Sequence, residues 1–137
     1  MTEIAETLGL QSGDANQYAT LAAFFLKNGE ADGAEGAAEL ALALNPEDAA
    51  AWSALGAARA KQKRYAEAVP AYLEALKRDP LDIAGWTDLG EVYVYLMDFE
   101  HAAAALRQAI ELDPDGANPW GRRARAVVAR VIKQLRK

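Results

Sequence analysis

The stretch Ala49 to Pro80, AAAWSALGAARAKQKRYAEAVPAYLEALKRDP, decides the fold, because most of it recurs one unit later and its skeleton recurs one unit earlier. Trp52, Trp86 and Trp120 are spaced by 34, as are Pro46, Pro80 and Pro114. Leu55 and Gly56 return as Leu89 and Gly90, and Tyr65 returns as Phe99. Ala34, Ala68 and Ala102 form one series, and Ala41, Ala75 and Ala109 another. Gly56 and Gly90 fall mid-helix, where glycine costs about 1 kcal/mol relative to alanine, so their recurrence at one phase requires a close approach of a second helix. They are expected to meet Ala68 and Ala102, with Trp52, Leu55, Tyr72 and Leu76 on either side. A single helical hairpin of this kind cannot bury its apolar face, so the units must stack into one continuous core.

These residues resemble the tetratricopeptide repeat (TPR) family, whose period and W-x2-L-G-x2-Y…A-x3-F…P pattern they follow from about Asp14 to Pro114. The resemblance implies an all-α solenoid of three helix-turn-helix repeats and a C-terminal capping helix. The expected division is a short segment 1–14, repeats at 15–48, 49–82 and 83–116, and a basic amphipathic helix at 117–137. In the segment 1–14, Ile4, Leu8 and Leu10 form a weak apolar edge, and a frayed terminus is expected. Asp14 is the expected cap of the first helix and Gly29 its stop. The first repeat carries Tyr18 for the tryptophan, Ala22 for the glycine and Ala31 for the aromatic, with Gly33 and Gly36 inside its second helix, which makes that helix the expected soft end of the stack. Asp48 and Asp82 cap the helices after the inter-repeat turns. Arg59 stands where the pattern has tyrosine, and Pro70 inside a helix removes a hydrogen bond and should bend it.

With 137 residues, 52% apolar and 26% charged, the chain has the composition of a folded domain, not a disordered one. It contains no cysteine, which excludes disulfides, thiolate metal sites and thiol chemistry. The first residues, MTEIAETLGLQSGD, lack a basic n-region and a long apolar core, and no stretch approaches a membrane span, so a cytoplasmic protein is expected. All 20 acidic residues lie at or before Asp115 with 8 basic ones, whereas Asn118 to Lys137 holds 7 basic residues and no acid. The body should therefore repel nucleic acid, and the last helix raises the opposite question. Asn118 and Pro119 are a capped helix start, and Trp120, Ala124, Val127, Val128, Val131, Ile132 and Leu135 form one stripe. The expectation is a cap on the third repeat, with no nucleic acid and no membrane bound. An adaptor contacting anionic membrane or nucleic acid through Arg122 to Lys137 is the alternative, as is a segment of a larger or engineered repeat scaffold.

No catalytic constellation is legible. His101 is the single histidine, and Asp79, Asp82, Asp113 and Asp115 are spaced as helix caps and not as a calcium loop. No phosphate loop is present, no cofactor is expected, and an enzyme is not expected. The resemblance instead implies a concave surface on the first helices. Carried over by position, its lining is Asn16, Ala19, Thr20, Ala23, Leu26 and Lys27; Ala50, Ser53, Ala54, Ala57, Ala60 and Lys61; and Ala84, Thr87, Asp88, Glu91, Val94 and Tyr95. Family members that clamp a chaperone's C-terminal carboxylate place Lys, Asn, Asn, Lys and Arg where this chain has Ala19, Ala23, Ala54, Ala84 and Asp88. A carboxylate clamp is thus not expected, and Asp88 and Glu91 should favour a basic flank on the ligand. The expected function is binding of an apolar segment of another protein. In size, acidity, apolar groove and closing helix the chain is also similar to the translocator-binding chaperones of type III secretion systems, though its N-terminal extension is shorter than their dimerising helix.

Overall fold

The computed structural model describes residues 15–137. The Ile4, Leu8 and Leu10 edge and the Asp14 cap lie outside the described residues. Seven helices run through the rest: α1 (Ala15–Lys27), α2 (Ala31–Leu44), α3 (Ala49–Lys61), α4 (Tyr65–Arg78), α5 (Ile83–Tyr95), α6 (Phe99–Glu111) and α7 (Pro119–Leu135). Consecutive helices pack as hairpins, and α3 also packs on α1 and α2, α5 on α4, and α7 on both α5 and α6. The result is an all-α solenoid closed by α7.

Two kinds of turn alternate, and each has a local chemical cause. Between repeats, an aspartate caps the next helix: Asp48 Oδ1 accepts from Ala51 N (3.2 Å) and Asp82 Oδ1 from Gly85 N (3.1 Å). The tryptophans close over the same turns, with Trp52 Nε1 donating to the Pro46 carbonyl and Trp86 Nε1 to the Pro80 carbonyl, both at 2.8 Å. That bond ties the two residue types into one device, which is why they recur together. Within repeats, the turn carries one residue in the left-handed region: Gly29 (φ 76°), Lys63 (φ 64°) and Met97 (φ 62°), again 34 apart. Glycine satisfies that backbone without strain; lysine and methionine do not.

The close helix approaches occur at the expected glycines, with Ala102 met at Gly90 as expected, but large side chains are the nearest partners. A β-carbon on Gly56 would lie 3.0 Å from the Tyr72 ring, and one on Gly90 would lie 2.6 Å from Leu106 Cγ, with the Ala102 carbonyl at 3.4 Å. Ala68 and Ala102 are fully buried nearby, yet the large side chains fill the space that the glycines leave. Gly33 plays the same part in the first repeat, where a β-carbon would lie 3.1 Å from the Phe25 ring.

Arg59 reaches Glu35 (3.5 Å) and donates to the Glu67 carbonyl (3.1 Å), so a cation replaces the pattern's aromatic as the link between α2, α3 and α4. Arg64 (2.9 Å) and Gln62 (3.1 Å) complete the cage around Glu35. Desolvation pushes the Glu35 carboxyl up, but these donors hold it below the ordinary range. Helix α4 continues through the exposed Pro70.

Helix α7 starts where Asn118 accepts from Trp120 N (2.8 Å), with Pro119 in its first turn. Its Ala124, Val127 and Val131 are buried against Ala102, Leu106 and Ala109 of α6. The turn before it is built on Asp113, whose side chain is 5% exposed and accepts from Asn118 N (3.0 Å) and Arg125 Nη1 (3.1 Å). Burial raises the Asp113 pKa, and those two donors bring it below the ordinary value.

Candidate functional site: the first-helix cleft

The inner sides of α1, α3 and α5 bound a cleft of about 470 Å³. Ala23 and Leu26 of α1, Ala50, Ser53, Ala54 and Ala57 of α3, and Asp88 of α5 line it, all of them expected from the sequence. Ala49, Ala75, Asp79 and Asp82 line it too and were not expected. Ala75 belongs to a second helix, and Asp79 and Asp82 to the turn after it; assigning the lining to first helices alone leaves them out. Small side chains make the walls, and carboxylates gather at one side, with no lysine or arginine in the lining.

The remaining expected residues are distributed differently. Asn16, Ala19, Thr20, Lys27, Ala60, Lys61 and Ala84 do not line the cleft; the Thr20 hydroxyl donates to the Asn16 carbonyl of its own helix (2.8 Å). Thr87 is a correction. It is fully buried, its hydroxyl 3.0 Å from the Ile83 carbonyl and 3.1 Å from the Trp120 carbonyl, because α7 covers that face of α5. Glu91, Val94 and Tyr95 line a different pocket nearer α7. Glu91 is held by Arg123, whose Nη2 donates to it at 2.7 Å, so it does not present a free charge to a ligand in the cleft. Tyr95 stacks flat on Tyr65, with ring centroids 4.5 Å apart.

Two of the cleft alanines also serve the core. Ala54 is 8% exposed and packs with Ala22, Leu55 and Ala71, while Ala57 is half-buried against the core that contains Tyr72 and Leu89. A bulky residue at either would disturb packing as well as fill the cleft. Ala23 and Ala50 are exposed and have no such second role.

Asp88 sets the electrostatics. Burial, then the Glu91 charge, and then Asp82 push its carboxyl up to about 7, with Arg123 and Lys61 acting in the opposite sense. A carboxylate raised in this way accepts a cation readily, since an arriving positive charge relieves the penalty. His101, by contrast, lies at the exposed start of α6, where its Nδ1 is 2.8 Å from Asp98 Oδ2, the carboxylate that caps that helix.

Two family models, each described as "Tetratricopeptide repeat", match the sequence at residues 21–83 and 83–115. The chain belongs to the tetratricopeptide repeat family. No curated protein sequence matches. Among solved structures, PcrH in complex with the chaperone binding region of PopD shares 23% identity over 92% of this chain and 96% of that one, with a TM-score of 0.81. The Yersinia enterocolitica type III secretion translocator chaperone SycD shares 19% identity over 98% and 94%, with a TM-score of 0.81. The first TPR of Spaghetti (RPAP3) bound to the HSP90 peptide SRMEEVD shares 17% identity over 93% and 97%, with a TM-score of 0.83. At these identities the likeness establishes the TPR fold.

Among the described residues, no helix is long and apolar enough to cross a membrane. The arginines in the first turns of α7 are engaged within the molecule. Arg122 donates to the Gly116 and Ala117 carbonyls, Arg123 pairs with Glu91, and Arg125 pairs with Asp113. Their charges hold the last helix to the stack.

Proposed function

We propose that this TPR chain is a non-enzymatic, cytoplasmic protein-binding module whose cleft holds an apolar segment of a partner protein, flanked by lysine or arginine. The observation that carries this reading is the lining itself: Ala23, Ala50, Ser53 and Leu26 offer room for a side chain, and Asp79, Asp82 and Asp88 stand beside them. The neighbours' own complexes, PcrH with the chaperone binding region of PopD and Spaghetti with an HSP90 peptide, support a peptide ligand on this fold. A small chaperone that shields such a segment before its assembly is the specific form we favour. The pairing of Arg122, Arg123 and Arg125 within the molecule withdraws three of the seven C-terminal cations from phosphate or membrane binding, which favours the cleft as the main binding surface.

The test begins with affinity capture from the source cell and mapping of the bound segment. Calorimetry then compares the parent with Ala50→Trp, which fills the cleft from an exposed position, and with Lys77→Glu on the exposed side of α4. Ala50→Trp should weaken the segment tenfold or more, about 1.4 kcal/mol, and Lys77→Glu should leave it unchanged. The reverse pattern would place the ligand elsewhere and defeat the proposal.

A further inference from the structure

Helix α7 has 17 residues where α1, α3 and α5, its counterparts in the repeats, have 13 each. The pocket to which Glu91, Val94 and Tyr95 belong, about 410 Å³, lies between this helix and the α5–α6 turn. Val94, Met97 and Phe99 form one wall, and Val127, Arg130 and Val131 the other. It shares no lining residue with the first-helix cleft.

Two independent features mark this pocket. Met97 occupies the left-handed turn position that Gly29 fills in the first repeat, and the residue is 72% exposed. The left-handed backbone is common to the repeat turns, but only here does it hold a large apolar side chain out in water, beside the exposed Tyr95 and Leu96, which is unfavourable unless something covers it. The second feature is charge. Glu91 is neutralised by Arg123, so the cation left at the wall is Arg130, which has no ion pair among the described residues. Lys133, Arg136 and Lys137 follow it and are likewise unpaired among the described residues.

We infer that this pocket is a second peptide site, taking an apolar side chain whose neighbour in the partner's sequence is an aspartate or glutamate. Apolar walls accept the side chain, and Arg130 meets the carboxylate with a forked donor suited to it. The charge preference is opposite to that of the cleft, where the carboxylates are Asp79, Asp82 and Asp88. One molecule therefore has two sites that a single charge pattern cannot fill, and complementarity of this kind acts on specificity and encounter more than on raw affinity. The pocket's role does not depend on that of the cleft.

Methionine methyl NMR tests it directly, because Met1 and Met97 are the two methionines of the chain. The probes are two capped synthetic peptides, Gly-Asp-Leu-Phe-Asp-Gly and Gly-Lys-Leu-Phe-Lys-Gly, titrated into the full chain at low salt. The acidic peptide should move the Met97 methyl signal saturably. Arg130→Glu should weaken that titration tenfold or more and turn the preference toward the lysine peptide, while Ala50→Trp in the cleft should leave it unchanged. Arg130 is exposed, so an unaltered helical circular dichroism spectrum of Arg130→Glu is the accompanying control. A Met97 signal that stays fixed at millimolar acidic peptide, or that responds equally to both peptides, overturns the proposal. So does an unchanged titration in Arg130→Glu. A Met97 signal that moves with protein concentration alone would assign the pocket to a second copy of the chain and overturn it as well.

Discussion

Replacing Gly90 by alanine adds one methyl group to the close contact between α5 and α6. That methyl would lie 2.6 Å from Leu106 Cγ and 2.7 Å from its Cδ2, about 0.8 Å inside ordinary contact. Leu106 has no exposed surface and packs with Ala102, Ala109, Ala124 and Val127, so it cannot swing aside without disturbing α7. Overpacking of this kind costs about 1–3 kcal/mol, against a gain of about 1 kcal/mol for alanine over glycine in a helix. The net expectation is a loss of up to about 2 kcal/mol. Gly36, exposed on α2 with nothing within 4 Å of an added methyl, isolates the propensity contribution, and Gly36→Ala should stabilise by up to about 1 kcal/mol. Gly56→Ala should fall between them, since its neighbour is the Tyr72 ring at 3.0 Å. Thermal melting followed by circular dichroism orders the three, at about 4 °C per kcal/mol for a chain of this size. If Gly90→Ala melted as high as Gly36→Ala, the α5–α6 contact and the reason for the recurring glycine would both be wrong.

The left-handed turns give a second stability test: Lys63→Gly should raise stability by about 0.5–1 kcal/mol, the relieved backbone strain less glycine's larger unfolded-state entropy, read from urea midpoints. Asp113→Ala removes the acceptor for the Asn118 N–H and Arg125, and should cost about 2 kcal/mol with early loss of α7, read by hydrogen exchange. Asp88, with its carboxyl raised from 3.8 to about 7, favours the folded protein most when protonated; that contribution is complete below pH 4 and is lost as pH rises toward 7. Asp88→Asn should therefore flatten the pH dependence of stability between pH 4 and 7, measured by chemical denaturation. A basic ligand that lowers the Asp88 pKa should bind more tightly as pH rises through the same window, by at most about tenfold per pH unit. Calorimetry at pH 5.5 and 7.5 should show the rise in the parent and not in Asp88→Asn.

The architecture was legible because its determinants are periodic. At the first two inter-repeat turns tryptophan and proline recur together since one bonds the other's carbonyl, and the capping aspartates recur with them. The breaks in period were not legible. Lys63 and Met97 carry no mark of a left-handed turn, because the usual sign is a glycine and only Gly29 keeps it. Thr87 reads as a lining residue from its phase, but the last repeat has α7 on the face that a preceding repeat leaves open. Ala54 and Ala57 show why an alanine-rich groove is hard to read: alanine is equally suited to a packed contact and to an open wall, and its letter is the same in both. Glu91 and Arg123 lie 32 residues apart on helices whose crossing no spacing rule supplies. The charge of the cleft was legible at Asp88 and missed at Asp79 and Asp82, whose capping position explained them already.

The claim that the partner's segment lies in the first-helix cleft is tested most directly by photo-crosslinking. Benzoylphenylalanine placed at Ser53, which lines the cleft, or at Lys77, exposed on α4 and outside it, is irradiated in the source cell. A partner should crosslink from position 53 and be lost when Ala23→Trp is added, and the crosslinked peptide should be apolar and next to lysine or arginine. A partner captured from position 77 and not from position 53 would contradict the claim.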